Sequence, residues 1–244
     1  MEKQKAYTHL AEWFEYLNDD CDYENWSQYF ILKLKSFGVQ TGLDIGCGGG
    51  YFTRAFTRAG FQMTGMDISP QMLDTAQRKA LEEGARAEYI LGDISKKKPQ
   101  KRFEFVTAIN DLINYIPKDK LKSALKNIHA SLKKGGVFLF DVSSPRKFQT
   151  KIANTVSVDD RDEVTYLAFN RLEGDKAILE VTLFIKDGEK YIRKDETHLQ
   201  YVYTEEELCA ALEESGFTVL EIEGHLGEEK SQSDRICFTA KKEN

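Results

Sequence analysis

The chain has 244 residues, of which 41% are hydrophobic and 30% charged, a composition typical of a globular protein rather than a disordered one. Its net charge of −6 argues against a broad basic surface for nucleic acid. No apolar run approaches the roughly 18 residues of a membrane span, no apolar signal core follows the first residues, and the four cysteines and four histidines are dispersed. We therefore expect a cytoplasmic protein with no metal site and no membrane or nucleic-acid partner.

The residues before the first predicted core strand are dense in aromatic side chains. The helical spacing of their apolar residues predicts helices over residues 4–17 and 23–37. Packing against a core accounts for most of these rings. Trp26 is also a candidate to contact a bound cationic ligand through its ring face, so residues 1–38 are predicted to form a helical lid.

A glycine-rich turn follows the first predicted core strand, and a helix is predicted from Phe52 to Ala59 directly after it. Glycine lets a ligand touch the main chain, and a helix start offers unpaired N–H groups to ligand oxygens. The dinucleotide pattern G-x-G-x-x-G would need a glycine where this chain has Tyr51. We therefore expect a different nucleotide-like cofactor in this turn.

The spacing that the turn does contain is Asp-x-Gly-x-Gly-x-Gly, running from Asp44 to Gly50. A carboxylate at the first position suits a cofactor that carries positive charge better than it suits a pyrophosphate. The candidate cofactor-binding residues of the turn are Asp44, Gly46, Cys47 and Gly48.

The second predicted core strand, residues 62–68, contains an acid near its end, Asp67. A carboxylate at the tip of this strand can accept hydrogen bonds from both hydroxyls of a ribose. Ser69 and Pro70 then provide an N-cap and a first helical residue, which predicts a helix to about residue 83.

Together, the glycine turn and the segment around Asp67 resemble motifs I and II of class I S-adenosylmethionine-dependent methyltransferases. The resemblance covers roughly residues 40–143 and 204–242, and it implies S-adenosylmethionine as the cofactor. In that family the motif II acid binds the ribose, a methionine packs near the adenine, and an acid after the third strand (here residues 87–93) meets the adenine amine. The residues that the resemblance implies for these contacts are Asp67, Ile68, Met72, Asp93 and Ile94.

The fourth predicted core strand, residues 103–110, ends at Asn110. Ligands of doubly wound sheets bind outside the carboxyl ends of the strands, so Asn110 is a further candidate for cofactor binding. The segment lacks the Asn/Asp-Pro-Pro-Tyr tetrad of enzymes that methylate amino groups of bases or glutamine. A hydroxyl nucleophile needs a base, for which Asp111, Tyr115 and His198 are the candidates. An amine needs only a free lone pair, and a carbon nucleophile is also possible.

A helix is predicted over residues 118–134, ended by two glycines and followed by a fifth strand over residues 137–142. About sixty residues then depart from the minimal fold. Alternating patterns predict strands over residues 164–171, 177–186 and 191–203, joined by hairpin turns. We expect residues 144–203 to form an antiparallel insert that covers the substrate.

The fold class predicted is α/β: a doubly wound seven-stranded, mostly parallel sheet whose last strand is antiparallel, with N-terminal helices and an antiparallel β insert. Residues 39–143 and 204–244 would form the cofactor-binding core, with a helix opening at Thr204 and strands over residues 218–224 and 235–240.

The chain also resembles a group of small bacterial methyltransferases with such an insert, whose substrates are mostly unassigned. This implies methyl transfer to an oxygen, nitrogen or carbon nucleophile of a small molecule, by a monomer or a homodimer. Two alternatives stay open. One is an RNA or protein methyltransferase, for which only residues 96–102 supply clustered basic charge; the other is a non-catalytic S-adenosylmethionine-binding module.

Overall fold

Two β-sheets organise the computed structural model, which describes residues 4–243, without the side chains of residues 4 and 5. The larger sheet has seven strands and the smaller has five. Along the chain, the strands are β1 (Gln4–Lys5), β2 (Thr41–Ile45), β3 (Gln62–Asp67), β4 (Glu88–Leu91), β5 (Phe103–Ala108), β6 (Leu132–Ser143), β7 (Val156–Asp160), β8 (Val164–Glu173), β9 (Lys176–Asp187), β10 (Lys190–Tyr201), β11 (Phe217–Gly224) and β12 (Arg235–Lys242).

Seven α-helices flank or connect these strands within residues 4–243, and none of them is long and apolar enough to cross a membrane. They are α1 (Phe14–Leu17), α2 (Tyr23–Ser36), α3 (Tyr51–Arg58), α4 (Pro70–Glu82), α5 (Lys118–Ser131), α6 (Pro145–Lys147) and α7 (Glu205–Glu214). Short 3-10 turns occupy Leu10–Glu12, Leu112–Tyr115 and His225–Gly227, and a π-helical turn occupies Phe148–Ile152.

The seven-stranded sheet has the spatial order β11-β12-β6-β5-β2-β3-β4. Strand β12 is antiparallel to both of its neighbours, and the other neighbouring pairs are parallel. One core cluster packs α5 and α7 against one face, and another packs α2 and α3 against the opposite face. The predicted fold class is confirmed. The strand order reverses between β2 and β5, which is where ligands of such sheets bind.

The five-stranded sheet has the order β1-β10-β9-β8-β7. Strands β7 to β10 pair in antiparallel fashion, and β1 joins the edge in parallel to β10. The three strands predicted for the insert are present, but β7 was not predicted. Its two valines, Val156 and Val158, are 57% and 62% exposed, so this edge strand lacks the buried apolar face by which a strand is recognised.

The helix predicted over residues 4–17 is wrong except at α1. The backbone N–H groups of Tyr7, His9 and Leu10 donate to the carboxylate of Glu196 on β10. Because these donors point to another element, the segment cannot form the internal hydrogen bonds of a helix. Residues 6–17, which we call the N-terminal strap, instead extend from β10 to the start of α4, where the Ser69 hydroxyl donates to the Tyr7 carbonyl oxygen. The strap contains one 3-10 turn and one short helix.

The two glycines expected to end α5 lie inside β6 instead. Helix α5 ends at Ser131, and β6 begins at the next residue. A Cβ atom on Gly136 would lie 2.9 Å from the carbonyl oxygen of Glu104, a residue of the neighbouring strand β5. Glycine is therefore needed here for the close approach of the two strands, and the helix needs no glycine stop.

Candidate active site

The glycine turn between β2 and α3 has a backbone that only glycine adopts easily. Gly46, Gly48 and Gly50 have φ angles of 65°, 52° and 83°, in the left-handed region. A Cβ atom on Gly46 would lie 2.5 Å from the Leu112 side chain. The N–H groups of Gly46 and Cys47 donate to the Met66 carbonyl oxygen at 2.7 and 3.2 Å, which fixes the turn beside β3.

Asp44 lies beneath this turn and is 2% exposed. Its carboxylate accepts hydrogen bonds from the hydroxyls of Thr53 and Thr107 at 2.6 and 3.0 Å. Burial raises the pKa of Asp44 to about 6, against the lowering effect of these two hydrogen bonds. Asp44 therefore ties β2 to α3 and β5, and it forms part of the floor of the cleft above.

Asp67 joins the turn to the start of α4. One carboxylate oxygen accepts from the Gly48 N–H at 2.9 Å, and the other accepts from the Ser69 N–H at 2.8 Å. Burial raises the pKa of Asp67. The side chain thus stands at the tip of β3, as the sequence predicted, and is held there by two backbone donors.

A cleft of about 280 Å³ opens along these elements. Apolar side chains, among them Ile45, Met66 and Leu112, cover much of its wall. The structure brings ten of the predicted cofactor-binding residues together in its lining: Asp44, Gly46, Cys47, Gly48, Asp67, Ile68, Met72, Asp93, Ile94 and Asn110. The N-terminal strap and α2, which fall within the region predicted as a lid, contribute Tyr7, Phe14, Glu15 and Tyr23 to the lining, and sequence reasoning named none of these four as a contact.

The carboxylate of Asp93 turns toward the loop that follows it. It accepts from the backbone N–H and the hydroxyl of Ser95 at 2.9 and 2.6 Å, and it pairs with Lys96 at 3.2 Å. Burial favours the neutral acid, but the Ser95 and Lys96 contacts outweigh it and lower the pKa of Asp93. A ligand group in the cleft that donates a hydrogen bond to Asp93 would have to compete with Ser95 and Lys96 for its carboxylate oxygens.

Trp26 does not line the cleft. This residue of α2 is 3% exposed in the core, where its ring stacks on Tyr23 and contacts Phe52 edge to face. The cation over its ring is the guanidinium of Arg235, 4.5 Å from the ring centroid. Tyr23 lines the cleft where Trp26 was expected.

A second cavity of about 380 Å³ adjoins the cleft, between the carboxyl ends of the core strands and the five-stranded sheet. We call it the inter-sheet cavity. Four residues line both spaces: Tyr7, Phe14, Asn110 and Tyr115. All three predicted candidates for a base, Asp111, Tyr115 and His198, lie in its lining.

A chain of hydrogen bonds runs from the junction of the two cavities into the five-stranded sheet. The Tyr7 and Tyr115 hydroxyls are 2.9 Å apart. The Tyr115 hydroxyl lies 3.2 Å from Nδ1 of His198, and Nε2 of His198 lies 2.6 Å from Glu196. We call these four residues the tyrosine–histidine relay.

Glu196 anchors the far end of this relay and is 2% exposed. Burial opposes its ionisation, but hydrogen bonds from His198 and from the strap N–H groups of His9 and Leu10 lower its pKa. The sequence contains a signal for it that was missed. Glu196, His198 and Gln200 alternate along β10 and are all buried, whereas Leu199 between them is 45% exposed. Polar residues inside and an apolar one outside invert the usual strand pattern.

Asp111 occupies a strained position at the end of β5. It and Asn110 have φ angles of 55° and 66°, and both of their N–H groups donate to the buried carboxylate of Asp141. The Oδ2 atom of Asp111 accepts from the Ser143 hydroxyl at 3.1 Å and from the Gln200 amide at 3.0 Å. These partners fix Asp111 at the wall of the inter-sheet cavity.

Among residues 4–243, no group of three or more His, Cys, Asp and Glu side chains is arranged to hold a metal ion.

Comparisons with known proteins match this architecture. A family model described as a methyltransferase domain matches residues 43–136. A protein of Geobacillus sp. (strain WCH70), "Putative methyltransferase GWCH70_2453", is 31% identical, and the alignment covers 97% of this chain and 100% of that protein.

Solved structures agree with the sequence relatives. A S-adenosylmethionine-dependent methyltransferase from Clostridium acetobutylicum ATCC 824 superposes with a TM-score of 0.87 and 29% identity, over 96% of this chain and 97% of that one. The S-adenosylmethionine-bound amino pentose methyltransferase CalS10 from Micromonospora echinaspora shares the fold, with a TM-score of 0.76 and 20% identity over 98% and 99% of the two chains.

The chain belongs to the class I S-adenosylmethionine-dependent methyltransferase family. It is an enzyme that transfers a methyl group, and S-adenosylmethionine is its cofactor. The cleft fits this cofactor: glycine backbone lies open to a ligand at the turn, Asp67 provides a carboxylate at the tip of β3, and Met66, Met72 and Ile94 provide apolar surface.

Proposed function

We propose that the enzyme methylates a hydroxyl group of a small molecule bound in the inter-sheet cavity. The observation that carries this proposal is the junction at Tyr7 and Tyr115, where the cofactor cleft meets a second cavity of about 380 Å³. The five-stranded sheet and the strap leave room for a small molecule there, and they obstruct the approach of a folded RNA or protein.

In this proposal, the residues of the cleft hold the cofactor by their own chemistry. Asp67 accepts hydrogen bonds from the ribose hydroxyls, and Asp93 and the backbone after it meet the adenine amine, with Ile68, Met72 and Ile94 packing on the ring. Backbone atoms of Gly46, Cys47, Gly48 and Asn110 contact the amino-acid portion. Bound S-adenosylmethionine supplies a methyl group already activated by its sulfonium, so the protein mainly has to position the nucleophile and exclude water.

The tyrosine–histidine relay favours a hydroxyl nucleophile, because a hydroxyl must lose its proton as the new bond to carbon forms. The proton passes from the acceptor hydroxyl to the Tyr7 oxygen while the Tyr7 proton moves to Tyr115. In the same concerted step, the Tyr115 proton moves to Nδ1 of His198, and the imidazolium that results is stabilised by Glu196, 2.6 Å from Nε2. Tyr7 and Tyr115 end the process as neutral phenols.

Asp111 takes a positioning role in this scheme. Both of its donors, Ser143 and Gln200, bind the same carboxylate oxygen. Its other oxygen therefore has capacity to hold a polar group of the acceptor at the wall of the cavity.

Replacement of Asp67 tests the cofactor assignment. We expect Asp67→Ala to weaken S-adenosylmethionine binding by about 1.5–3 kcal/mol, the range for a hydrogen bond to a charged group. The measurement is calorimetric titration, with the midpoint of urea unfolding as a check that the variant folds. Asp74→Asn, an exposed acid on α4, is the matched control. Equal affinity in Asp67→Ala and wild type would contradict the assignment.

The acceptor class is tested with methyl-labelled S-adenosylmethionine and the small-molecule, RNA and protein fractions of a cell extract. We expect the label to enter the small-molecule fraction together with formation of S-adenosylhomocysteine. His198→Asn should slow this transfer without changing cofactor affinity, because His198 lines the inter-sheet cavity and not the cofactor cleft. Label in RNA or protein, or S-adenosylmethionine binding with no transfer to any fraction, would overturn the proposal.

A further inference from the structure

We propose that the methyl acceptor carries an anionic group, a carboxylate or a phosphate ester, and that Lys147 binds this group in the inter-sheet cavity. The inference rests on the proposed function, since it concerns the ligand of the same cavity. It names a specificity-determining residue that is separate from the relay.

Lys147 is the last residue of α6, four residues after the end of β6, and it lines the inter-sheet cavity. Its backbone N–H donates to the Ser144 hydroxyl at 3.2 Å, which fixes the start of the side chain. Its Nζ donates to the Ser143 hydroxyl at 3.0 Å. An ammonium has three N–H donors, and within residues 6–243 this hydroxyl is the one partner assigned to them.

Apart from Asp111, whose carboxylate is hydrogen-bonded to Ser143 and Gln200, the other charged groups of the cavity have ionic partners. The Arg235 guanidinium pairs with the buried Asp141 carboxylate and also binds Asn110 at 3.2 Å. Asp159 pairs with Arg161 at 2.9 Å. The His198 imidazole is hydrogen-bonded to Glu196 at 2.6 Å. Among the described residues, Lys147 makes no ion pair with a carboxylate, so it is the cation of this cavity with capacity for an anion.

The Ser143 hydroxyl lies between Lys147 and the carboxylate of Asp111 and is hydrogen-bonded to both. Ser143 donates its proton to Asp111 at 3.1 Å and accepts from Lys147 at 3.0 Å. This arrangement orients the lysine without neutralising it by direct contact. An anionic ligand at Nζ would complete the coordination that the serine hydroxyl begins.

Electrostatics add to this geometry. Burial lowers the pKa of Lys147, and the neighbouring charge of Arg235 lowers it further, while Asp111, Asp141 and Asp234 act in the opposite direction. A cation that has lost part of its hydration and stands beside a second cation gains from an anionic partner. An anion bound here would receive the field of both Lys147 and Arg235.

Part of the cavity wall is apolar and can pack against an apolar portion of the ligand. This part includes side chains of the strap and of the five-stranded sheet, Leu10, Leu17, Val158, Leu179 and Val181. Simple phenyl compounds that differ in one charged group therefore make suitable probes.

The experiment is calorimetric titration of the protein loaded with S-adenosylhomocysteine, using benzoate, phenyl phosphate, benzyl alcohol and benzylamine. We expect at least one of the two anions to bind more tightly than benzyl alcohol by about tenfold or more. Comparison of benzoate with phenyl phosphate distinguishes a carboxylate from a phosphate as the natural group. Benzylamine should bind most weakly, because two cations face the ligand.

Three variants assign the effect to Lys147. Lys147→Gln should weaken binding of the preferred anion by about tenfold and leave benzyl alcohol unchanged. Lys147→Arg, which keeps the charge, should retain the anion preference. Lys151→Gln is the matched control, because this lysine lies four residues further on, is 62% exposed, pairs with Asp234 at 2.5 Å and does not line the cavity.

Several results would overturn the proposal. One is benzylamine binding as tightly as the anions, which would make Asp111 the discriminating residue. Another is equal anion affinity in Lys147→Gln and wild type. Binding of S-adenosylhomocysteine with no binding of either anion would reject this inference and leave the cofactor assignment intact. Failure of S-adenosylhomocysteine itself to bind would instead remove the proposed function and this inference with it.

Discussion

A carboxylate buried beneath a nucleotide-binding turn makes the stability of the protein depend on pH. The pKa of Asp44 is raised by burial from 3.8 to about 6. In the folded protein, therefore, the acid holds its proton more tightly than in the unfolded chain. Its contribution to stability is fully present below the unfolded pKa and is lost as the pH rises through about 6.

We predict that the free energy of unfolding of the wild type, measured relative to Asp44→Asn, falls by about 3 kcal/mol as the pH rises from below 3.8 to neutral. This magnitude follows because one pKa unit corresponds to about 1.4 kcal/mol. Urea unfolding of both proteins across that pH range measures the difference. Because all other titrating groups are present in both proteins, Asp44→Asn is the control for their effects on stability. A difference that does not change with pH would contradict the prediction.

Alanine substitutions at two glycines in the left-handed region can distinguish the cost of backbone strain from the cost of side-chain crowding. Gly38 and Gly46 have φ angles of 68° and 65°, but a Cβ atom on Gly38 meets nothing within 4 Å, whereas one on Gly46 meets Leu112 at 2.5 Å. We expect both alanine variants to lose about 1–2 kcal/mol of stability from the unfavourable dihedral angles.

Only Gly46→Ala should also lower S-adenosylmethionine affinity, by about tenfold or more, because Leu112 has to shift within the cofactor cleft. Thermal unfolding gives the first effect and calorimetry gives the second. If Gly38→Ala weakened cofactor binding equally, crowding at Leu112 would not be the cause.

At this scale, the sequence predicts a residue well when its role follows from its local surroundings. Asp67 was predicted because it ends a strand that follows the glycine turn at the spacing of motifs I and II. Trp26 was placed over the cofactor because an aromatic ring can contact a cation, but the sequence does not say which cation. Its position beneath Arg235 depends on a residue more than two hundred positions away, and no local pattern contains that information.

At the scale of elements, the N-terminal strap depends on two carboxylates. Glu196 binds three of its N–H groups, and Glu15 on α1 pairs with Arg54 and Lys79 on the core helices. The strap contributes walls to both cavities, so these contacts keep the two sites closed on one side.

We predict that Glu196→Gln increases the hydrogen-exchange rate of the amides of Tyr7, His9 and Leu10 by about tenfold or more, because a neutral amide has one acceptor oxygen and no charge with which to hold them. Exchange followed by mass spectrometry at peptide level resolves this segment. Glu189→Gln, at an exposed hairpin end of the same sheet, should leave the rate unchanged. Unaltered exchange in Glu196→Gln would mean that the apolar contacts of the strap suffice to hold it.

The strap also shows why some elements were predicted and others were not. Helix α4 was predicted almost to the residue, because its cap, its proline and its apolar spacing are all local. The strap has apolar residues at helical spacing too, but a carboxylate 189 residues away in the sequence takes its backbone donors. Tertiary hydrogen bonds of this kind override local propensity.

At the scale of the whole molecule, cofactor binding should stabilise the complete fold, since the cleft is formed by the turn, by α4 and by the strap together. With S-adenosylhomocysteine at a hundred times its dissociation constant, we expect a gain of about 2.7 kcal/mol. For a chain of this size, that corresponds to a rise of about 5–10 °C in Tm. Differential scanning calorimetry measures it, with NAD as the control ligand that should give no rise. Equal stabilisation by NAD would contradict the cofactor specificity of the glycine turn.

The overall topology could be predicted because the core alternates strands and helices with recognisable turns between them, and because the glycine turn and the segment around Asp67 resemble two motifs of a known family. The inter-sheet cavity could not be predicted in the same way. Its walls come from the strap, the end of β5, α6 and four strands of the insert, and only the folded arrangement shows that these segments meet.

The pairing of β1 with β10 has a consequence for synthesis of the protein. The strap leaves the ribosome before the strand that supplies Glu196, so its aromatic side chains stay without their final partners while most of the chain is made. The nascent core can form its central strands earlier, but Tyr7 can join the relay only after residues 196–198 have emerged. Under the proposed function, the relay is therefore complete only after most of the chain has been made, and truncated products that end before Glu196 would lack it even with an intact glycine turn.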